Sequence, residues 1–271
     1  MARKRTVGTE AGETLIGDDD LRNLILGLGG GDTLHGGSRR DKLEGGFGRD
    51  LLQGYKADDR LEGGPGVDTA YGYRGDDVAW GGNGTDFLFG GLGRDVLAGG
   101  RRDDFLYGEQ GGDGLFGGRG DDRLFGGRGD DGLWGGEGDD RLVVEAGSYD
   151  DLIGGEGADV FVIRGVGQGG QRVAAETTVR DFAAEEDVLR IGGRDGPAVE
   201  RIVVERVALG RDGLEDDVRL RLFADGSANG TAADLDLLIR NLDAETLVAR
   251  LDDLLRLGGA AAEAEIDLSL L

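Results

Sequence analysis

Gly117-Gly118-Arg119-Gly120-Asp121-Asp122-Arg123-Leu124-Phe125 runs without a gap into Gly126-Gly127-Arg128-Gly129-Asp130-Asp131-Gly132-Leu133-Trp134 and then Gly135-Gly136-Glu137-Gly138-Asp139-Asp140-Arg141-Leu142-Val143. The frame is G-G-x-G-x-D-x-L-x, and outward from these blocks it holds thirteen times, from Gly27 to Val143. Position 1 is Gly and position 6 is Asp in all thirteen. Position 8 is Leu in eleven, with Ala70 and Ala79 the exceptions. Chance does not hold three positions in phase over so many periods, so this is a repeat protein.

The frame wears out at both ends. From Gly8 to Leu26 two degraded repeats keep Leu15 and Ile25 at position 8, with Glu13 and Asn23 at position 6. A stack needs a terminal unit whose outer face meets water. Residues 1–26 are therefore read as a tail, frayed at Arg3-Lys4-Arg5, and capping repeats. After the array Val144 inserts one residue, and two more blocks keep Asp150 with Leu152 and Asp159 with Phe161. The array is drawn over residues 27–162.

Glycine at positions 1, 2 and 4 admits positive φ and lets backbone carbonyls converge. Positions 7–9 favour a very short strand whose middle side chain points opposite to its neighbours. Two blocks then make two turns and two strands, one coil of eighteen residues, and coils stack through parallel pairing at ~4.8 Å. The Leu column fills a narrow interior. One Leu per block cannot offset backbone ordering of ~1–2 kcal/mol per residue, so a second force must hold the stack.

Charge names that force. The net charge is -24, from 55 acidic and 31 basic residues, which argues against nucleic acid as a partner. A lattice of carboxylates repels itself unless cations enter it. Ca²⁺ takes about six to eight oxygen ligands from carboxylates and backbone carbonyls, in flexible geometry. Mg²⁺ fits less well, because it dehydrates reluctantly and demands a stricter octahedron. The candidate carboxylates are Asp32, Asp50, Asp68, Asp86, Asp104, Asp122 and Asp140 on one edge and Asp41, Asp59, Asp77, Asp95, Asp113 and Asp131 on the other, with Asp150 and Asp159 beyond them. The turns best built to offer carbonyls hold Gly82, Gly84, Gly91, Gly93, Gly118, Gly120, Gly127, Gly129, Gly136 and Gly138. Sites between stacked turns number six on the first edge and five on the second, eleven in all, whose 22 positive charges would nearly balance -24.

The blocks at Gly117 and Gly135 closely resemble the nonapeptide of haemolysin-type calcium-binding RTX proteins of Gram-negative bacteria. The resemblance implies an all-β fold, a parallel β-roll, with about ten bound Ca²⁺. It also implies a secreted, extracellular protein exported by a type I secretion apparatus that reads an uncleaved C-terminal signal. The chain departs from the pattern where Leu28, Tyr55, Tyr73 and Glu109 replace the position-2 glycine, and Arg39, Ala57 and Arg102 the position-4 glycine. Sites there are expected to be weak or empty.

Beyond the array the composition changes. Arg164 to Ala175 reads as a Gly/Gln linker. Thr178-Val179-Arg180-Asp181-Phe182 and Asp187-Val188-Leu189-Arg190-Ile191 resemble the segment that closes the β-roll of serralysin-like proteases, whose catalytic part is absent from this sequence. Strands are expected at Arg201–Leu209, Val218–Phe223 and Leu235–Arg240, and Asp243 caps an expected helix over Ala244–Leu257. Residues 163–258 thus form a small β-rich C-terminal cap with one helix. Residues 259–271, ending Ile266-Asp267-Leu268-Ser269-Leu270-Leu271, resemble a type I secretion signal.

Position 9 is aromatic at Tyr71, Trp80, Phe89, Tyr107, Phe116, Phe125 and Trp134. Tyr71, Phe89, Tyr107 and Phe125 recur every eighteen residues and should form one ladder on one outer face, either as cross-strand stacking or as a platform for a glycan or cell surface. The first members of acidic pairs such as Asp121-Asp122 are expected in solvent. No catalytic motif is found: His35 is the only histidine, cysteine is absent, and no nucleophile elbow or phosphate loop occurs. No apolar run approaches the ~18 residues of a membrane span, and no apolar segment follows the basic N-terminus as a signal peptide requires. The reading is a calcium-binding β-roll, not an enzyme. Its alternatives are an adhesin using the aromatic ladder and the export half of a larger secreted enzyme.

Overall fold

The computed structural model describes residues 3–145, 148–164, 176–181, 187–191, 199–206, 218–224 and 235–239. The described residues form strands in two sheets, of thirteen and ten members. As far as Val188–Ile191 consecutive strands alternate between the sheets, so each sheet takes every second one. The first sheet runs from Arg3–Val7 and Arg22–Gly29 through Asp151–Glu156 to Glu176–Val179. The second runs from Thr14–Ile16 and Thr33–Gly37 through Val160–Arg164 to Val188–Ile191. Pairing is parallel, with Phe87 opposite Phe105 and Phe105 opposite Arg123, a register of one coil. This is the all-β parallel β-roll expected from the repeat.

Side-chain alternation explains why the frame is nine long. Along the strand Phe87–Leu92, Leu88 and Gly90 face inward while Phe87 and Phe89 face out. Asp86, two residues before Leu88, also faces inward and is fully buried. Position 6, position 8 and position 1 of the next block are thus one inward-facing series of period two. The leucines at position 8 are 0% exposed along the whole array, and Ala70 and Ala79 stand in the same column at 1%.

Three sequence expectations need correction. The strands are not confined to positions 7–9: most are six residues long and end inside the next block, as Phe87–Leu92 does, because the position-1 glycine continues the alternation. That glycine does not use positive φ anywhere in the array. It is required by close approach, since a methyl group on Gly117 would lie 2.3 Å from Asp122 Oδ2 and 2.6 Å from the Gly135 carbonyl oxygen. Arg3-Lys4-Arg5 is not frayed, because Arg3–Val7 pairs in register with Arg22–Leu26 at the edge of the first sheet.

Val144 lengthens one coil to nineteen residues, so that Arg141 pairs with Val160 and Leu142 with Phe161. Val143 and Val144 are both buried, so the extra residue is taken into the interior. Parallel pairing continues beyond Val162, where Thr178 pairs with Asp151 and Val188 with Val160. Strands then occupy Val199–Arg206, Val218–Ala224 and Leu235–Ile239, close to the three expected. Their order in the sheet is not sequential. Leu235–Ile239 pairs parallel with Glu176–Val179, and Val218–Ala224 and Val199–Arg206 follow antiparallel outside it. The expected helix over 244–257, the tail 259–271 and most of the linker 164–175 lie outside the described residues.

Candidate metal centre

The roll carries two ladders of buried aspartates, one along each edge. On the first, the backbone N–H of Asp32 donates to Asp50 Oδ1, Asp50 to Asp68, and so on through Asp86, Asp104, Asp122 and Asp140 to Asp159, at 2.7–2.9 Å. On the second, Asp41 donates to Asp59, then Asp77, Asp95, Asp113, Asp131 and Asp150, at 2.6–3.0 Å. The worn N-terminal repeats join as their position-6 residues suggest: the Glu13 N–H donates to Asp32 and the Asn23 N–H to Asp41. Asp187, which the sequence reading left among closing residues, continues the first ladder by accepting the Asp159 N–H at 2.9 Å. Its signal was visible: Asp187-Val188-Leu189 repeats the Asp-x-Leu of positions 6–8.

In the thirteen array carboxylates one oxygen is spoken for and the other is not, whereas Asp150 Oδ2 accepts the Ser148 hydroxyl at 2.9 Å. The Oδ2 atoms of all thirteen array aspartates, from Asp32 to Asp140, are buried without a hydrogen-bond partner. A buried, unpartnered carboxylate oxygen is costly, and here the deficit is repeated at every turn. Burial pushes the carboxyls of Asp59, Asp104 and Asp140 up to about 8, with the flanking aspartates adding to the shift against the backbone bond each accepts. Asp68, Asp95, Asp122, Asp131 and Asp159 rise to about 7 for the same first reason. Asp77, Asp86, Asp113 and Asp150 rise to about 6, and Asp41 and Asp50 are also raised by burial. The interior favours neutral carboxyls unless positive charge reaches them.

The turns supply neutral oxygens. Gly82, Gly84, Gly91, Gly93, Gly118, Gly120, Gly127, Gly129, Gly136 and Gly138 all sit at positive φ, between 106° and 150°. Several of these carbonyls lie against the following coil: a methyl group on Gly100 would lie 2.3 Å from the Gly82 oxygen, and one on Gly136 2.2 Å from the Gly118 oxygen. Among the described residues no three acidic or histidine side chains converge on one point. The available donor set is therefore mixed, one carboxylate per turn with backbone carbonyls, which is hard-cation chemistry.

The departures from the repeat reach the same backbone conformation. Leu28, Tyr55, Ala57, Tyr73, Arg102 and Glu109 take φ of 69–81° where a glycine would stand. The difference at those turns is one of energy, about 1–2 kcal/mol for each L-residue held there. Arg39 alone of the replacements avoids positive φ, so its turn has a different shape.

A family model of the RTX calcium-binding nonapeptide repeat matches residues 26–61, 35–70, 53–88, 62–97, 89–124, 107–142 and 116–149, together the stretch 26–149. This stretch is built of haemolysin-type RTX repeats. Its repeats bind calcium and form the parallel β-roll described above. No curated protein matches the chain significantly.

Outside the RTX ladders, the position-5 acids are exposed as expected, yet they are also bonded. Asp103 accepts the Asp121 N–H at 3.1 Å, Asp121 the Asp139 N–H at 2.9 Å, and Asp139 the Ala158 N–H at 2.9 Å. On the other edge Asp58 pairs with Arg40, and Asp76 with Arg94 at 3.5 Å. Asp181 takes the Gly154 and Gly155 N–H groups, both at 2.9 Å, and so fastens the closing segment to a turn.

The expected aromatic ladder is present: Tyr71–Phe89, Phe89–Tyr107 and Tyr107–Phe125 stack at 4.7–4.9 Å and within 11° of parallel. Tyr73, Tyr55 and His35 extend it, which the nonapeptide frame did not reveal because both extra tyrosines occupy glycine positions. On the opposite sheet Phe116 stacks on Trp134 at 4.5 Å.

Proposed function

We propose that this RTX protein is a secreted calcium-dependent roll that passes through a type I secretion apparatus unfolded and folds outside the cell. The observation that carries the reading is the row of thirteen buried Oδ2 atoms with no partner. The ladder aspartates named above, with Asp150 and Asp159, are the proposed carboxylate ligands, and the carbonyls of the positive-φ turn glycines complete the donor set. When bound, calcium supplies positive charge between turns and allows the buried carboxyls to ionise. The chain's own contribution is to aim one carboxylate oxygen inward at every turn, fix its partner oxygen on the previous coil, and exclude water with the Leu column.

Without metal, near-neutral pH would ionise carboxyls that burial holds at about 6–8, and the narrow core would not hold the coils together. The chain would then remain extended in a low-calcium cytosol and threadable for export. The proposed affinity is that of extracellular modules, ~10⁻⁴–10⁻³ M. About ten ions are proposed, and their role is structural rather than catalytic. Secretion would be directed by the C-terminal residues 259–271.

The adhesin reading is not favoured by the rings. In the run from Tyr71 to Phe125 each inner ring has neighbours on both faces, whereas a sugar stacks on an open aromatic face. The ladder is a cross-strand stabiliser. Circular dichroism tests the proposal: the β signal should be lost in chelator and return steeply on adding Ca²⁺, and full β structure in chelator would refute it.

A further inference from the structure

Five of the chain's residues place a polar aromatic cluster on the outer face of the second sheet, over the coils with the thinnest core. Tyr55 and Tyr73 stand directly opposite each other on paired strands. Their rings are stacked with centroids 5.4 Å apart and planes within 4°. Both are exposed, at 38% and 39%. His35 Nδ1 lies 2.9 Å from Tyr55 Oη, and its ring stacks on Tyr55 at 6.0 Å. Gln53 Nε2 donates to Tyr73 Oη at 3.0 Å, and the Tyr55 hydroxyl donates to Gln53 Oε1 at 3.2 Å. Tyr71 stacks against Tyr73 at 5.6 Å with a 24° tilt.

Both tyrosines sit at positive φ, 78° and 71°, a conformation that is a genuine outlier for a bulky residue. The repeat calls for glycine at both. Holding two phenols there brings them into register one coil apart, whereas Tyr107 further along the ladder lies between two phenylalanines, Phe89 and Phe125.

We propose that Tyr55 and Tyr73 are an oxidative cross-linking pair, which a one-electron oxidant of the peroxidase class converts to an intramolecular dityrosine joining successive coils. Each phenol gives one electron to the oxidant and one proton to an acceptor. The Tyr55 hydroxyl turns from Gln53 Oε1 and, in the tautomer that leaves Nδ1 unprotonated, passes its proton to His35 Nδ1 2.9 Å away, while the Tyr73 proton goes to solvent. The two phenoxyl radicals then join through the ring carbons ortho to oxygen. The hydrogens displaced from those carbons move through water to the two oxygens and restore both rings. The balance is one C–C bond formed, two C–H bonds lost, two electrons accepted by the oxidant and two protons released, including the one His35 hands on. The product fastens the coils whose core column carries Ala70 and Ala79 in place of Leu.

The chemistry needs only the folded roll, so it is tested in excess Ca²⁺ with the β signal checked on every sample. Full-length chain at low micromolar concentration is treated with a peroxidase and hydrogen peroxide, and the monomer is digested and analysed by mass spectrometry and dityrosine fluorescence. The expected product is a monomer lighter by two hydrogen atoms, with the link between the peptides bearing Tyr55 and Tyr73. Tyr55→Phe and Tyr73→Phe, which keep the stack and the fold, should each abolish it, while Tyr149→Phe should change nothing. His35→Phe keeps a stacked ring but removes the proton acceptor, and should slow cross-linking roughly 10-fold or more, with the solvent deuterium isotope effect reduced. A folded monomer that forms no link, a link between Tyr71 and Tyr73 instead, or dityrosine found only between chains and lost on dilution would overturn the proposal. A sample without β signal would count against the calcium-dependent fold and not against the pair, and the link is then sought at the Ca²⁺ concentration that restores it.

Discussion

Replacing Asp122 with Asn should have opposite effects with and without calcium. Asp122 is 1% exposed. Its Oδ1 accepts the Asp104 N–H at 2.7 Å, its own N–H donates to Asp140 Oδ1 at 2.7 Å, and its Oδ2 has no partner. Asn keeps the Oδ1 acceptor and the backbone donor and deletes only the charge. Burial and the nearby Asp103 and Asp121 hold the carboxyl at about 7 instead of 3.8. At ~1.4 kcal/mol per pKa unit, ionising Asp122 in the metal-free roll at pH 8 costs at most roughly 4 kcal/mol. Asp122→Asn removes that penalty, so in chelator the osmolyte concentration needed to drive folding should fall. With calcium present, the variant loses a charged ligand from a buried ion pair, a loss of roughly 3–5 kcal/mol, and the calcium midpoint for folding should rise. Circular dichroism reads both titrations on the same samples. A shift of the same sign in both, or no shift in calcium, would refute the assignment of Oδ2 to a cation.

Proton linkage gives a second test. For acids whose folded pKa is raised, the stability they confer is complete below ~4, the unfolded value, and is lost as pH rises through about 6–8. Metal-free chain should therefore gain β structure when pH falls from about 8 to 5; in limiting calcium the same change should weaken the fold, because protons then compete with the metal. A dichroism pH series that moves in one direction under both conditions would contradict this. Gly117→Ala should be severely destabilising in a thermal melt, since its methyl group would meet Asp122 Oδ2 at 2.3 Å, whereas Gly114→Ala should be tolerated, with nothing nearer than 3.6 Å. Ala57→Gly should stabilise the calcium-loaded roll by about 1 kcal/mol by relieving a φ of 69°, read as a higher melting midpoint; an unchanged or lower midpoint would show that the turn is not strained.

Much of the roll was legible because the chemistry repeats with the chain. Asp at every position 6 announced two ladders with rungs one coil apart, and Leu at position 8 announced the buried column. The role of position 1 was hidden, since nothing in the frame distinguishes a glycine needed for φ from one needed for room; only the 2.3 Å approach of Asp122 Oδ2 to a methyl group on Gly117 separates them. Tyr55 and Tyr73 read as faults in the turn because their destination, the stack above Tyr71, depends on a backbone conformation that sequence alone assigns to glycine. Past Val162 periodicity ends. The strands were still marked by β-branched and apolar alternation, but placing Leu235–Ile239 next to Glu176–Val179, ahead of two strands that precede it in sequence, is a long-range choice that no local pattern encodes.

The buried carboxylates are tested as calcium sites most directly by counting ions as the chain folds. Equilibrium dialysis over a range of Ca²⁺ concentrations, with the β signal read on the same samples, should show bound calcium and structure rising together to about ten ions per chain. Magnesium at the same concentrations should produce neither. A roll that reaches full β structure with one or two ions bound, or that folds equally in magnesium, would contradict the assignment.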